Sequence, residues 1–168
     1  TNASHKTAQD SDALVLLVQN EVGYHNLLQL ISRAYLGDPE TGPPIEPQVA
    51  LSALASHSEG LIALTGGPLG PVGNLLVNGQ IDEAKALIGR LKEIFPGRLY
   101  VELMRHGLAE EKQTESGFLD MAYDMGLPIV ATNECFFSDT SMHEAHDALI
   151  CIAEGAYISD TERRRLSP

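Results

Sequence analysis

The sequence predicts an α/β fold of parallel strands joined by helical crossovers, and three observations carry that reading. Four short apolar runs are spread along the chain, segments with apolar residues at helical spacing lie between them, and glycine or proline marks the joins. Such alternation is the pattern of βαβ units. Four strands make a small sheet and nothing in the pattern closes it, so half of a barrel is expected rather than a complete one.

The elements follow in order. Residues 13–19, Ala-Leu-Val-Leu-Leu-Val-Gln, are short and continuously apolar, which predicts a buried parallel strand. Asn20 and Gly23 punctuate its end. Leu27, Leu28, Ile31, Ala34 and Tyr35 then recur at helical spacing, giving a helix over 22–36 that Gly37 terminates. Pro39, Gly42, Pro43 and Pro44 make 38–46 a loop. A short helix over 47–56 leads into the second strand, 60–65. The glycine-rich turn from Gly66 to Pro71 follows, then a short helix over 72–77.

Ile81, Ala84, Ile88, Leu91 and Phe95 form one stripe, so 80–95 is an amphipathic helix, stopped by Pro96-Gly97. The third strand runs from Leu99 to Met104. Phe118, Met121, Ala122 and Met125 mark a helix over 111–125, with Gly126 and Pro128 as stop signals. Leu127 to Thr132 is the fourth strand, and His143 to Ala153 the last helix. Residues 1–11 are set aside as a linker or residues added for expression, and 12–168 are read as the folded part.

Composition narrows the function classes. A chain of 168 residues can bury one substantial core. Its apolar stretches are shorter than a bilayer span, and no basic start with an apolar h-region announces a signal peptide. Cys135 and Cys151 form no CxxC pair, and Cys151 lies in an apolar helical run, so reduced thiols and a cytoplasmic location are expected. The formal net charge is -12, from 11 basic and 23 acidic residues, which argues against direct gripping of duplex DNA. Arg163-Arg164-Arg165, a possible exception, is read as a solvated tail or the start of something missing.

Several residue groups could carry chemistry. Gly66-Gly67-Pro68-Leu69-Gly70 lacks the lysine and spacing of a phosphate loop and reads as a tight turn. His143 and His146 are spaced i, i+3, not the i, i+4 of a zinc-protease helix, so helix-start and packing roles are expected. His106 directly follows the third strand and Gly107 lets the chain turn away, which places a neutral imidazole where α/β barrels hold metals and substrates. Glu134 sits similarly after the fourth strand. Together they supply two ligands, whereas catalytic zinc ordinarily takes three from protein.

Four motifs then stand in order: Asn20-Glu21-x-Gly23-Tyr24-x-Asn26-Leu27, Gly60-Leu61-Ile62-Ala63-Leu64-Thr65-Gly66-Gly67, Tyr100-x-Glu102-Leu103-x-Arg105-His106-Gly107 and Leu127-Pro128-x-Val130-Ala131-Thr132-Asn133. With them the chain closely resembles the PHP (polymerase and histidinol phosphatase) domain of bacterial replicative DNA polymerase III alpha subunits, over about residues 12–168. The resemblance implies a partial PHP-type distorted (β/α)7 TIM-like barrel. It also implies the C-terminal part of that domain, lacking the family's opening His-x-His motif and the polymerase palm.

The resemblance further implies a ligand at each of four positions. Where the family often has a His before the first strand here, this chain has Ala13. His106 matches the family's His after the Glu-Leu strand. The family's Asn-Asp-x-His strand end stands as Asn133-Glu134-Cys135-Phe136. One ligand is kept, one is conservatively changed and two are lost, so His106 and Glu134 are read as a remnant metal site without catalytic residues.

No phosphoesterase or proofreading exonuclease activity is expected, nor a cofactor in this part. Magnesium would serve in the palm of the parent polymerase, and zinc or manganese at the PHP site only under the competing phosphoesterase or 3′–5′ exonuclease reading. The implied role is structural. Expected partners are the rest of the alpha subunit and a proofreading exonuclease subunit, with DNA reached through the parent. Exposed strand edges would also allow a homodimer.

Overall fold

The computed structural model describes residues 12–37, 46–133 and 135–166. The chain divides into two compact units, one ending at Ala131 and the other starting at Thr132. The first holds strands β1 (Val15–Val18), β2 (Leu61–Leu64), β3 (Leu99–Leu103) and β4 (Ile129–Ala131). It also holds helices α1 (Glu21–Leu36), α2 (Leu51–Ser56), α3 (Pro71–Val77), α4 (Ile81–Ile94) and α5 (Ala109–Met125). The second unit holds α6 (His143–Glu154), and short 3-10 turns cover Gly67–Leu69 and Thr140–Met142. The expected loop over 38–46 lies outside the described residues except for its last position, as do the set-aside residues 1–11.

The strands lie in the order β1-β2-β3-β4. β2, β3 and β4 are parallel, as expected, with Ala63 opposite Leu99 and Glu102 opposite Val130. β1 departs from the expectation and runs antiparallel to β2, with Val15 opposite Leu64 and Val18 opposite Leu61. The reason lies in the connection. The Gln19 N–H donates to the Gly60 carbonyl at 2.9 Å, so the end of β1 meets the start of β2. α1 leaves from that point and α2 ends three residues short of Gly60, so the excursion returns to where it began. An apolar run specifies burial and says nothing about direction.

The local signals for α1 are clear. Asn20 is its N-cap, accepting the Gly23 N–H at 3.0 Å. Gly37, at φ 72°, closes the helix with its N–H on the Arg33 carbonyl. Gly23 is required for packing: a Cβ there would stand 1.8 Å from the Gly60 oxygen. Asn26 completes the seam by donating to the Glu59 carbonyl at 2.9 Å. The Asn20, Gly23 and Asn26 spacing therefore docks α1 on the strand connection.

The core is built by Leu61 and Ala63 of β2, Leu99 and Val101 of β3, Ala84, Ile88 and Leu91 of α4 with Phe95 just beyond, and Phe118, Met121 and Ala122 of α5. The stripes expected on α4 and α5 are the faces that bury, apart from Ile81, which opens α4 and is exposed. α1 and β1 differ. Leu30 is buried, but Tyr24, Leu28, Ile31 and Tyr35 leave an apolar stripe uncovered. Val15, Leu17 and Val18 are also exposed, so β1 is not the buried strand its composition predicts. Among the described residues β2 is the only strand paired with β1, which makes β1 an edge of the sheet as described.

Candidate functional site

His106 follows β3 where the chain turns, and Gly107 takes φ 87°. Its imidazole Nδ1 lies 2.7 Å from Oε1 of Glu111. The same carboxylate accepts, through Oε2, the His106 N–H at 2.8 Å and the Leu108 N–H at 3.0 Å. Glu111 sits in the first turn of α5, where the helix dipole favours a negative charge. Burial pushes its carboxyl upward, but the His106 and Leu108 donors outweigh that and hold it below the ordinary glutamate value. Arg105 pairs with Glu115 at 2.7 Å, a second tie between this turn and α5.

A second buried carboxylate lies on β3 itself, the strand that His106 follows. Glu102 of β3 is 3% exposed and accepts the Gly66 N–H at 3.0 Å through Oε2. The Glu102 N–H in turn donates to Thr65 Oγ1 at 2.9 Å. These bonds fasten the glycine turn after β2 to β3. Gly66 and Gly67 have φ of 79° and 56°, and a Cβ on Gly70 would stand 1.9 Å from the Thr65 oxygen. The segment is thus the tight turn its sequence predicts, occupied by its own protein contacts.

Ala13 reaches this end of the sheet because β1 is antiparallel. It lies two residues before Val15, and its carbonyl comes within 2.4 Å of where a Gly66 Cβ would be. A methyl side chain offers no ligand atom there. Ala13 also lines an apolar cavity of about 560 Å³ with Leu14, Leu16, Ala34, Leu54 and Leu91.

In the second unit, Phe136 packs on His146 with ring centroids 5.3 Å apart, and Phe137 lies 5.5 Å from His146 and 6.1 Å from His143. His143 opens α6, and its Nε2 is 2.9 Å from the Leu166 carbonyl. Both histidines thus take the helix-start and packing roles expected of them. Cys151 is buried and Cys135 exposed, both as free thiols.

The arginine run is not the solvated tail its composition predicts. Arg163 is 5% exposed and holds both Asp147 oxygens at 2.6 Å. That contact keeps the Asp147 carboxyl below its ordinary value, against the opposing effect of burial. Arg164 and Arg165 remain mostly exposed. A local run of like charge cannot reveal that an acid sixteen residues upstream faces its first member.

Of the two expected metal ligands, His106 stands at the strand end as predicted, and Glu134 lies outside the described residues. Among the described residues, no three His, Cys, Asp or Glu side chains are grouped to hold a metal ion. Ala13 and Phe136 contribute no donor atom by their chemistry. Sequence reasoning missed Glu111 and Glu102. Glu111 is the third residue of α5, but Leu108 stands at the N-cap where a capping box would have Ser or Thr, so no local pattern marks it; the signal for Glu102 is a lone carboxylate inside an apolar strand.

Residues 2–106 match the PHP domain family. The chain belongs to this family. The PHP chain is similar to the DNA polymerase III subunit alpha of Caulobacter vibrioides, 46% identical over 155 residues, which is 92% of this chain and 13% of that protein. The subunit of Pasteurella multocida is 37% identical over 153 residues, covering 91% of this chain and 13% of its own length. That of Vibrio cholerae is 37% identical over 164 residues, covering 97% and 14%. The PHP chain therefore spans roughly an eighth of the curated relatives it matches. Among its described residues no helix is long and apolar enough to cross a membrane.

Proposed function

We propose that the chain serves as the PHP region of a cytoplasmic, replicative DNA polymerase III alpha subunit, as scaffold and docking surface rather than as a phosphoesterase. The observation that carries the proposal is the 46% identity to an alpha subunit across 92% of the chain. The donor set supports the structural half. Ala13 and Phe136 stand where the resemblance calls for imidazoles, and His106 with Glu134 leaves two ligands where a catalytic zinc takes three. In this reading the four-stranded sheet is part of a distorted (β/α)7 barrel, with residues 12–168 its C-terminal part.

The parent would be the DNA-directed DNA polymerase, with magnesium in its palm. Its partners would be the rest of the alpha subunit and a proofreading exonuclease subunit, with DNA held outside this acidic region. The exposed apolar side chains of β1 and α1, with β1 at the edge of the sheet among the described residues, would let an isolated domain pair with a second copy.

The competing reading is a metal-dependent phosphoesterase or 3′–5′ exonuclease using zinc or manganese at His106 and Glu134. It is favoured by the placement of His106 at the end of β3. Metal content and nuclease activity of the full-length parent, after chelation and re-addition of zinc, manganese or magnesium, separate the two. The scaffold reading expects no stoichiometric metal in the PHP region and no nuclease. Tight metal binding with activity abolished by His106→Ala would overturn it.

A further inference from the structure

We infer that Glu111 is a positioning residue that fixes the tautomer of His106, placing the ring proton on Nδ1 and making Nε2 the acceptor nitrogen at the end of β3. The inference concerns the acid–base identity of the ring and stands apart from whether the domain binds a metal. It begins with the geometry of the carboxylate, whose two oxygens have separate tasks. Oε2 receives two backbone donors, the N–H groups of His106 and Leu108, at 2.8 and 3.0 Å. Oε1 lies 2.7 Å from His106 Nδ1. An ionised carboxylate has lone pairs and no proton to give, so the nitrogen at that distance must be the donor.

The carboxylate cannot easily adjust to the ring, which is why it can dictate to it. Glu111 is 5% exposed, its backbone is in the first turn of α5, and two main-chain N–H groups hold one oxygen. The ring, by contrast, is 26% exposed and on a turn opened by Gly107. The orienting group is rigid and the oriented group sits at the strand end.

The test is nitrogen-resolved NMR of the His106 ring in the metal-free chain, well above the pH range in which imidazole titrates. Wild type should show Nδ1 as the protonated, pyrrole-type nitrogen and Nε2 as the pyridine-type nitrogen. Glu111→Gln, which keeps the size and can still accept from the backbone, should lose that fixed preference and give a mixed or reversed tautomer. Glu110→Gln, an exposed neighbour, should leave it unchanged.

A wild-type ring protonated on Nε2, a doubly protonated ring at that pH, or an unchanged tautomer in a folded Glu111→Gln chain would each overturn the inference. Should Glu111→Gln unfold, the wild-type spectrum alone still decides. Because no metal is present, the result is independent of the scaffold reading, which the metal and nuclease assays decide.

Discussion

Arg163 and Asp147 form a two-pronged contact, the two terminal guanidinium nitrogens each donating to one carboxylate oxygen at 2.6 Å. This contact ties the chain after α6 back onto the helix. Planar bidentate pairing is specific to arginine, so Arg163→Lys should not substitute. We expect both Arg163→Lys and Asp147→Asn to raise the hydrogen-exchange rates of α6 amides while leaving those of α4 unchanged.

The same pair predicts a pH dependence. The Asp147 carboxyl is held below its ordinary value in the folded chain. A depressed folded value contributes stability that is complete above the unfolded value and is lost as pH falls through the folded one. The difference in α6 protection between wild type and Asp147→Asn should therefore be constant near neutrality and shrink from about pH 4 downward. A difference that instead grows in acid would refute this.

Two glycines should respond to alanine with opposite signs. Gly23→Ala would drive a Cβ to 1.8 Å from the Gly60 carbonyl oxygen, and backbone on both sides must move. The cost should reach or exceed the ~1–3 kcal/mol typical of overpacking. Gly89, inside α4, has nothing within 4 Å of the position a Cβ would take. There alanine should stabilise by about 0.5–1 kcal/mol, the propensity difference in a helix interior. Denaturant titration of the two variants checks both.

Removing Glu111 altogether should be costlier than a surface change. Glu111→Ala leaves the N–H groups of His106 and Leu108 without their acceptor beside a buried site. A loss of about 1–3 kcal/mol in urea unfolding is expected. Glu115→Ala, which breaks only the pair with the exposed Arg105, should cost far less.

The uncovered apolar surface of β1 and α1 predicts self-association of the isolated chain. Light scattering should report a dimer at high concentration. Leu28→Lys with Ile31→Glu, on the exposed stripe, should return it to monomer without changing its circular dichroism. A monomer in the wild type at all concentrations would refute this.

Much of the fold was legible because helical period and stop signals are local. The stripe through Ala84, Ile88, Leu91 and Phe95, and the caps at Asn20 and Gly126, need no long-range knowledge. Strand direction was not legible, since Val15 to Val18 would read the same running either way. Nor was the exposure of β1, because an apolar side chain records what it is suited to meet, not whether this chain supplies it. At the site, His106 was visible from its place between a strand and a glycine. Its partner Glu111 was not, since a glutamate at a helix start is ordinary until its two oxygens are seen to be divided between backbone and ring. The burial of Arg163 depended on a contact with Asp147 across a turn, which no charge count contains.

The reversed direction of β1 carries a consequence for how this end of the sheet can change. In a wholly parallel sheet, the residues at such an edge all come from segments that leave a strand, and those segments must also start the next helix. β1 enters from the other side, so Ala13 arrives beside Gly66 from a segment that has no helix to begin. Substitution at position 13 is therefore freed from the capping and turning demands that constrain Gly66 and Gly107. That position can change its side chain while the architecture around it stays put.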